Sequence, residues 1–260
     1  MAQEKAKNHN LKAVPSLTDA TTPLVLDEES SECPKCFNSG LEVLPEGARP
    51  CSCRKLKSRE KTLKSVRLPK HYGSVSFDSY KPRTQLQAAA KKWAANFATE
   101  YPAVNYGILL MGSVGVGKTH LAVAMLKKLS ERGIPCMFYE FSSLLKKIQD
   151  SYNPTTQASE LSVLSPVLNT PVLVLDELGS SKPTNWVLDT LALIINSRYN
   201  EDKFTICTTN YFDNRPTDRE DTLEDRVGVR VRSRLHEMCR TIILDGTDYR
   251  KKIDQSLQRY

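Results

Sequence analysis

An α/β domain wound around a parallel sheet is the fold class the sequence predicts, and three observations carry that expectation. Tyr106–Met111 is a short apolar run of the kind shown by a strand buried on both faces. It leads directly into Gly112-Ser-Val-Gly-Val-Gly-Lys-Thr119, after which Leu121, Ala122, Met125 and Leu129 recur at helical spacing as far as Gly133. A second apolar run, Val172-Leu-Val-Leu175, ends in two carboxylates, Asp176 and Glu177. Open sheets of this kind carry their chemistry at the carboxyl ends of the strands, where both polar stretches fall.

Gly112 to Thr119 satisfies the phosphate-loop pattern of Gly, four residues, Gly-Lys-Thr. Gly112, Gly115 and Gly117 let the backbone approach phosphates. The N–H groups of Ser113, Val114, Val116 and their neighbours, with the helix N-terminus, suit the oxyanions. Lys118 is expected to reach the β and γ phosphates and Thr119 to ligate Mg2+. His120 follows directly, and the expected substrate is ATP with Mg2+. Asp176, at the end of the apolar run, is placed beside the Mg2+ held by Thr119, and Glu177 is placed to orient or deprotonate the attacking water. Taken alone, an Asp-Glu pair is more often a solvated strand end; after a phosphate loop the functional reading is favoured. Phe204–Thr208 reads as a further strand running into Thr209-Asn210, whose amide is positioned for the γ phosphate or the water; alone, that tripeptide is an ordinary strand exit.

Length and composition bound the rest. A chain of 260 residues with 40% hydrophobic residues is enough for one substantial core and an accessory segment. No apolar run approaches the roughly 18 residues that span a bilayer, and the polar N-terminus lacks a signal-peptide core, so the expectation is a cytoplasmic protein without a membrane partner. Seven cysteines divide into a cluster of four and the scattered Cys136, Cys207 and Cys239. The scattered three read as small buried hydrophobes, with a redox role as the alternative. Net charge is +7, yet Arg49 to Lys70 alone holds nine basic residues against Glu60, so this stretch carries +8 and the remainder is near neutral. Such localisation points to a polyanionic partner or to a solvated helix face.

In chain order, residues 1–32 are polar and proline-containing, with an acidic run at Asp27-Glu-Glu29, and are expected to be flexible. Cys33-Pro-Lys-Cys36, fourteen residues and Cys51-Ser-Cys53 form two close thiol pairs, with Gly40 where a metal knuckle turns. Tetrahedral zinc held by Cys33, Cys36, Cys51 and Cys53 is the expectation, with uncoordinated thiols as the alternative. Arg54 to Val66 reads as a basic connector helix stopped before Pro69, which puts a domain boundary near Arg67: residues 33–66 form ribbon and connector, 67–260 the main domain. Gln85 to Thr99 is helical in pattern. Met137–Phe141 reads as a strand with Ser142 capping the next helix, Asn153–Ala158 as a polar loop, and Thr241–Leu244 as the fifth strand.

Arg226, Arg230, Arg232 and Arg234 crowd into nine positions, followed by Arg250. An arginine offered to a neighbouring subunit's γ phosphate neutralises transition-state charge, although a solvated face accounts for any single one equally well.

With these residues in place, the stretch from about Arg67 to Arg250 resembles the bacterial DnaC/DnaI-type helicase loaders and their IstB-type transposition relatives among the AAA+ ATPases. The resemblance rests on Gly112–His120, Leu175-Asp-Glu-Leu-Gly179, Thr208-Thr-Asn210, and Ser233-Arg-Leu235 preceded by Arg226-Val-Gly-Val-Arg230. The cysteine ribbon is also similar to that of many loader-like proteins. The resemblance implies a five-stranded parallel sheet in the order 5-1-4-3-2, Asn210 as a polar sensor, Arg234 as a finger acting in trans and Arg250 as a second sensor. Because the sequence runs only a few residues past Arg250, the helical lid domain many such ATPases carry is not expected here.

Three functions follow as expectations. The first is an ATP-driven loader that binds single-stranded DNA and a hexameric replicative helicase, self-associates on either, and is reset by hydrolysis. The second is a transposition helper ATPase that binds duplex DNA. The third is a zinc-ribbon adaptor whose nucleotide site does not turn over, against which Glu177 argues. The ribbon and basic connector favour the loader over the helper.

Overall fold

The computed structural model describes residues 33–54, 66–153, 155, 159–215 and 220–251. The segment expected to be flexible, 1–32, lies outside the described residues, as do 55–65 of the connector and most of the loop at 153–158. The described residues fall into two compact units, one ending at Cys51 and the other beginning at Ser52.

In the first unit, β1 (Leu41–Leu44) and β2 (Gly47–Pro50) form an antiparallel hairpin in which Leu41 faces Pro50 and Leu44 faces Gly47. Ahead of it the chain turns tightly: Phe37 N donates to Cys33 O at 2.8 Å and Ser39 N to Cys36 O at 2.8 Å. Two strands of four residues with mostly exposed side chains cannot enclose a core of their own.

The second unit is a three-layer sandwich. Its elements are α1 (Gln85–Glu100), β3 (Gly107–Gly112), α2 (Lys118–Glu131), β4 (Cys136–Glu140), α3 (Phe141–Asp150), α4 (Glu160–Asn169), β5 (Val172–Asp176), α5 (Asn185–Asn200), β6 (Phe204–Thr209), α6 (Leu223–Val227), α7 (Val229–Met238) and β7 (Cys239–Leu244). All five strands run parallel in the order β4-β5-β6-β3-β7. Numbered from β3, that is the 5-1-4-3-2 order implied by the resemblance. Successive strand residues supply opposite faces: Ile108, Leu110, Val172 and Val174 pack with α1 and α2, whereas Leu109, Met111, Leu173 and Leu175 pack with α3, α4, α5 and α7. Both faces are therefore covered, which is why these strands read as unbroken apolar runs.

Local chemistry sets the helix starts. Thr84 accepts from Gln87 N at the head of α1, Ser159 from Ser162 N at α4, and Thr184 from Val187 N at α5; Thr222 and Asp225 form a reciprocal box at α6. One expectation is corrected here. Ser142 does not cap α3, because Phe141 is buried with Leu144, Leu145 and Ile148 on the inner face and so belongs to the first turn. Glu140 takes the cap position instead, and its carboxylate accepts from the Ser142 and Ser143 hydroxyls. Val66 O accepts from Phe138 N at 3.0 Å, so the chain enters this unit along the outer edge of β4.

Cys136, Cys207 and Cys239 are buried, and burial pushes the Cys136 and Cys207 thiols up to about 12, so they are inert fillers of the core. Near the amino ends of β5 and β6, Arg198 of α5 is wholly enclosed. Among the described residues no helix is long and apolar enough to cross a membrane.

Candidate nucleotide site and cysteine centre

At the carboxyl end of β3 the loop from Gly112 turns into α2 through Gly117, whose φ of 97° lies in the left-handed region. Glycine is needed there twice over, because a Cβ on Gly117 would also lie 2.4 Å from the Tyr80 ring. At Gly115 a Cβ would fall 1.8 Å from Asp248 Oδ1. Flanking segments thus close tightly on the loop. The first-turn N–H groups of α2 have no intrahelical acceptors and present a positive dipole end.

Lys118 is buried, and its Nζ donates to Gly112 O (2.8 Å), Ser113 O (2.7 Å) and Asn210 Oδ1 (2.7 Å). Burial pulls its pKa down to about 8, partly opposed by Asp176 and Glu177. Thr119 Oγ1 donates to Asp176 Oδ1 at 2.9 Å, and Thr208 Oγ1 donates to the same oxygen at 2.6 Å. Burial raises the Asp176 pKa despite these two bonds. The tip of β6 also shapes the next residue: Glu177 N donates to Thr208 Oγ1 (2.9 Å) and Leu178 N to Thr208 O (2.8 Å). These bonds hold Glu177 at φ 57°, a conformation costing a non-glycine residue roughly 1–2 kcal/mol.

A cleft of about 450 Å³ opens over this group, bounded by Val114–His120, Glu177, Thr208, Asn210 and Arg250. That size suits a nucleotide-sized ligand. The donor set fits a Mg-nucleotide: a buried ammonium bonded to neutral oxygens at one position, and a hydroxyl beside a buried carboxylate at the next. His120 turns to the wall of the cleft formed by residues 76–80, its Nε2 lying 3.1 Å from Ser79 Oγ and 3.0 Å from Ser76 O, with its ring 5.3 Å from Tyr80. Burial lowers its pKa.

Tyr72 was not singled out by any sequence signal, yet it lines the same cleft. Burial, followed by the charges of Asp176 and Glu177, raises its pKa, with neighbouring Thr119 acting in the opposite direction. A lone tyrosine about a hundred residues before the acidic pair offers nothing to a pattern search. Thr208 likewise supports the site from within a stretch whose Asn210 drew the attention.

The clustered arginines separate by environment. Arg226 donates Nε to Gly179 O at 2.7 Å and Nη2 to Ser181 O at 2.7 Å, tying down the loop after β5. Arg232 is buried and pairs with both oxygens of Asp213 at 2.6 and 2.7 Å. Arg234, half-buried, donates to Asn196 Oδ1 and lies 5.8 Å from the Tyr199 ring. Arg230 is exposed, and its side chain makes no hydrogen bond or ion pair among the described residues. Arg250 donates through its backbone N (3.0 Å) and Nε (3.3 Å) to Asp248 Oδ1.

The sulfur atoms of Cys33, Cys36, Cys51 and Cys53 all lie within 4.8 Å of one another, with Cys33 and Cys51 3.7 Å apart. A tetrahedron with zinc–sulfur bonds of 2.3 Å has edges of about 3.8 Å, so the cluster fits one zinc ion.

Sheet order, phosphate loop and acidic strand end together define an AAA+ ATPase. Comparison with known proteins narrows the class. The model of IstB-like ATP-binding proteins matches residues 11–256. The crystal structure of the DnaC helicase loader superposes with a TM-score of 0.59 at 33% identity, covering 68% of this chain and 99% of that one. The replicative helicase loader DnaI of Bacillus subtilis is 28% identical over 106 residues, 40% of this chain and 33% of DnaI, so the match spans a third of that relative's length. The insertion-sequence IS21 ATP-binding protein of Pseudomonas aeruginosa is 24% identical over 201 residues, 76% of this chain and 72% of that protein. The chain belongs to the IstB/DnaC–DnaI family of AAA+ ATPases, and carries an N-terminal cysteine cluster suited to a metal.

Proposed function

We propose that this protein is an ATP-driven loader of a hexameric replicative DNA helicase, binding single-stranded DNA and using hydrolysis to reset the complex. The observation that carries the proposal is the convergence of Lys118, Thr119, Glu177 and Asn210 on one cleft, with buried Asp176 bonded to Thr119 behind it, in a chain similar along 68% of its length to the DnaC loader.

Thr119 and Asp176 would hold Mg2+, which when bound would supply positive charge against the phosphates. Thr208 fixes the Asp176 oxygen from behind. The backbone from Gly112 through Gly117, with Ser113, Val114 and Val116 supplying N–H groups, surrounds the phosphates, and His120 anchors the first turn of α2 to the 76–79 segment. Lys118 exchanges its carbonyl partners for phosphate oxygens, while Asn210, already bonded to it, contacts the γ phosphate. Glu177 accepts the proton of the attacking water, its backbone held ready by Thr208. Arg250 leaves Asp248 to meet the nucleotide as second sensor, and Arg234 reaches a neighbouring subunit's γ phosphate when protomers assemble on DNA or helicase. Residues 33–66 serve as a zinc ribbon with its basic connector, Zn2+ being held by Cys33, Cys36, Cys51 and Cys53, and 67–260 serve as the ATPase domain.

A second function, a transposition helper on duplex DNA, is favoured by the similarity to the IS21 protein over 76% of the chain. The test uses a Glu177→Gln protein, which should bind ATP but turn over roughly 10² to 10⁴ times more slowly, as bait. A replicative helicase recovered with it, together with ATP-dependent binding of single strands, supports the loader. Recovery of a transposase with preference for duplex DNA selects the helper, and wild-type turnover in the variant removes Glu177 from its role.

A further inference from the structure

We propose that Tyr249, braced by Arg83, positions the base of the nucleotide, and that Asp245–Arg250 is a clasp closing the nucleoside end of the cleft. The proposal rests on the assignment of the cleft to a nucleotide. With Lys118, Thr119, Glu177 and Asn210 at the phosphate end, much of the remaining lining comes from two segments, Ser79–Gln87 and Thr247–Arg250. A base and sugar extending from the phosphates fall between them.

These two segments are joined directly. The Arg83 guanidinium carbon lies 4.4 Å from the Tyr249 ring centroid, a cation–π contact. Gln87, only 5% exposed, ties both sides: its Oε1 accepts from Arg83 N at 2.7 Å, and its Nε2 donates to Asp245 O at 2.9 Å. The clasp is also fastened to the phosphate loop, since Tyr249 N donates to Gly115 O at 3.1 Å and Ser113 Oγ to Gly246 O at 3.3 Å. The same loop that holds phosphate thus sets the position of Tyr249. Tyr249 lines the cleft and remains 46% exposed, an aromatic residue backed by a cation and suited to stacking on a base. Tyr80, the other ring on this wall, is committed: its hydroxyl donates to Val116 O at 3.1 Å and its edge fills the space beside Gly117.

Stacking contributes to base-bearing ligands and not to bare phosphate chains, which makes the two roles separable. Calorimetry on the full chain would measure ATP, ADP and inorganic tripolyphosphate binding to wild type, Tyr249→Ala, Tyr249→Phe and Arg83→Ala. Tyr249→Ala should weaken ATP and ADP by about 10- to 100-fold while tripolyphosphate affinity stays as in wild type. Tyr249→Phe, which keeps the ring, should recover most of the ATP affinity, and Arg83→Ala should fall between. Unchanged ATP binding in Tyr249→Ala overturns the proposal, as does an equal loss of ATP and tripolyphosphate, which would mean the clasp only shapes the phosphate loop. Wild-type protein that binds neither ligand would refute the nucleotide assignment itself, and the clasp with it.

Discussion

Lys118 and Arg198 are buried cations toward opposite ends of the same sheet, and among the described residues neither forms an ion pair with a carboxylate. Their bonding is similar in kind. Arg198 directs Nε to Thr205 Oγ1 (2.9 Å), Nη1 to Val167 O and Thr170 O (2.9 Å each), and Nη2 to Pro171 O and Phe204 O. All five of its donors are used, and burial draws its pKa down only to about 10, so it stays charged. Lys118 also uses every donor, on two carbonyls and the Asn210 amide, but one side of it faces a cleft and one of its partners is a side chain. A sealed planar guanidinium holds main-chain segments together, whereas an ammonium on a flexible stem beside open space is free to change partners. Hydrogen-bond satisfaction does not separate these two cations; access does.

The largest effect should come from sealing's failure. Arg198→Met strands several buried carbonyls and should lower stability by about 3–5 kcal/mol, a fall of roughly 10 °C in melting temperature by calorimetry. ATP affinity of the folded protein should persist. An unchanged melting point would erase the contrast. Lys118→Ala should do the reverse, abolishing ATP binding while the melting temperature holds or rises slightly, because a desolvated charge has been removed.

Acidity sharpens the contrast further. Without nucleotide Lys118 has a pKa near 8, below the usual 10.5 because of burial, and phosphate charge raises it. Above pH 8 binding therefore takes up a proton, so ATP affinity should be flat below pH 8 and fall by up to about tenfold per unit above it. Lys118→Arg should lose that slope, and Arg198, at about 10, should be silent across pH 7–9. The smallest effect is expected at Arg234, half-buried between the two extremes. Arg234→Ala should shift monomer stability by less than about 1 kcal/mol and leave monomer ATP affinity alone. Its loss should appear in assembled protomers, where mixing with Lys118→Ala chains restores some hydrolysis. If Arg230→Ala mixtures are rescued instead, the finger is Arg230.

What could be read beforehand follows from where burial is symmetrical. β3 and β5 are covered on both faces, so their sequences are continuous and apolar and their carboxyl ends mark the site. β7 is an edge strand with Arg240 and Ile243 turned outward, so the pattern suggested a start at Thr241, whereas pairing with β3 begins at Cys239. α5 drew no expectation although Val187, Leu191, Ile194 and Ile195 recur at helical spacing, and its Arg198 is a charge that imitates a solvent face while wholly enclosed. Lys118, Thr119, Asp176, Glu177 and Asn210 could be grouped because strand ends bring them together by topology. Tyr72 and the Arg83–Tyr249 contact could not, since they depend on how irregular segments drape across the sheet.

The place of β3 between β6 and β7 has a consequence for synthesis. Ile108 pairs with Ile206 and Arg240, so the strand that launches the phosphate loop has no neighbour until residues from far downstream have been made. A ribosome adding about 5–20 residues per second needs on the order of ten seconds to go from Gly112 to Leu244. Through that interval the nascent chain carries the whole phosphate-loop sequence without the sheet that positions it. On the proposed function, capture of nucleotide would need β7 in place beside β3, so the ligand would stabilise finished molecules far more than partial ones.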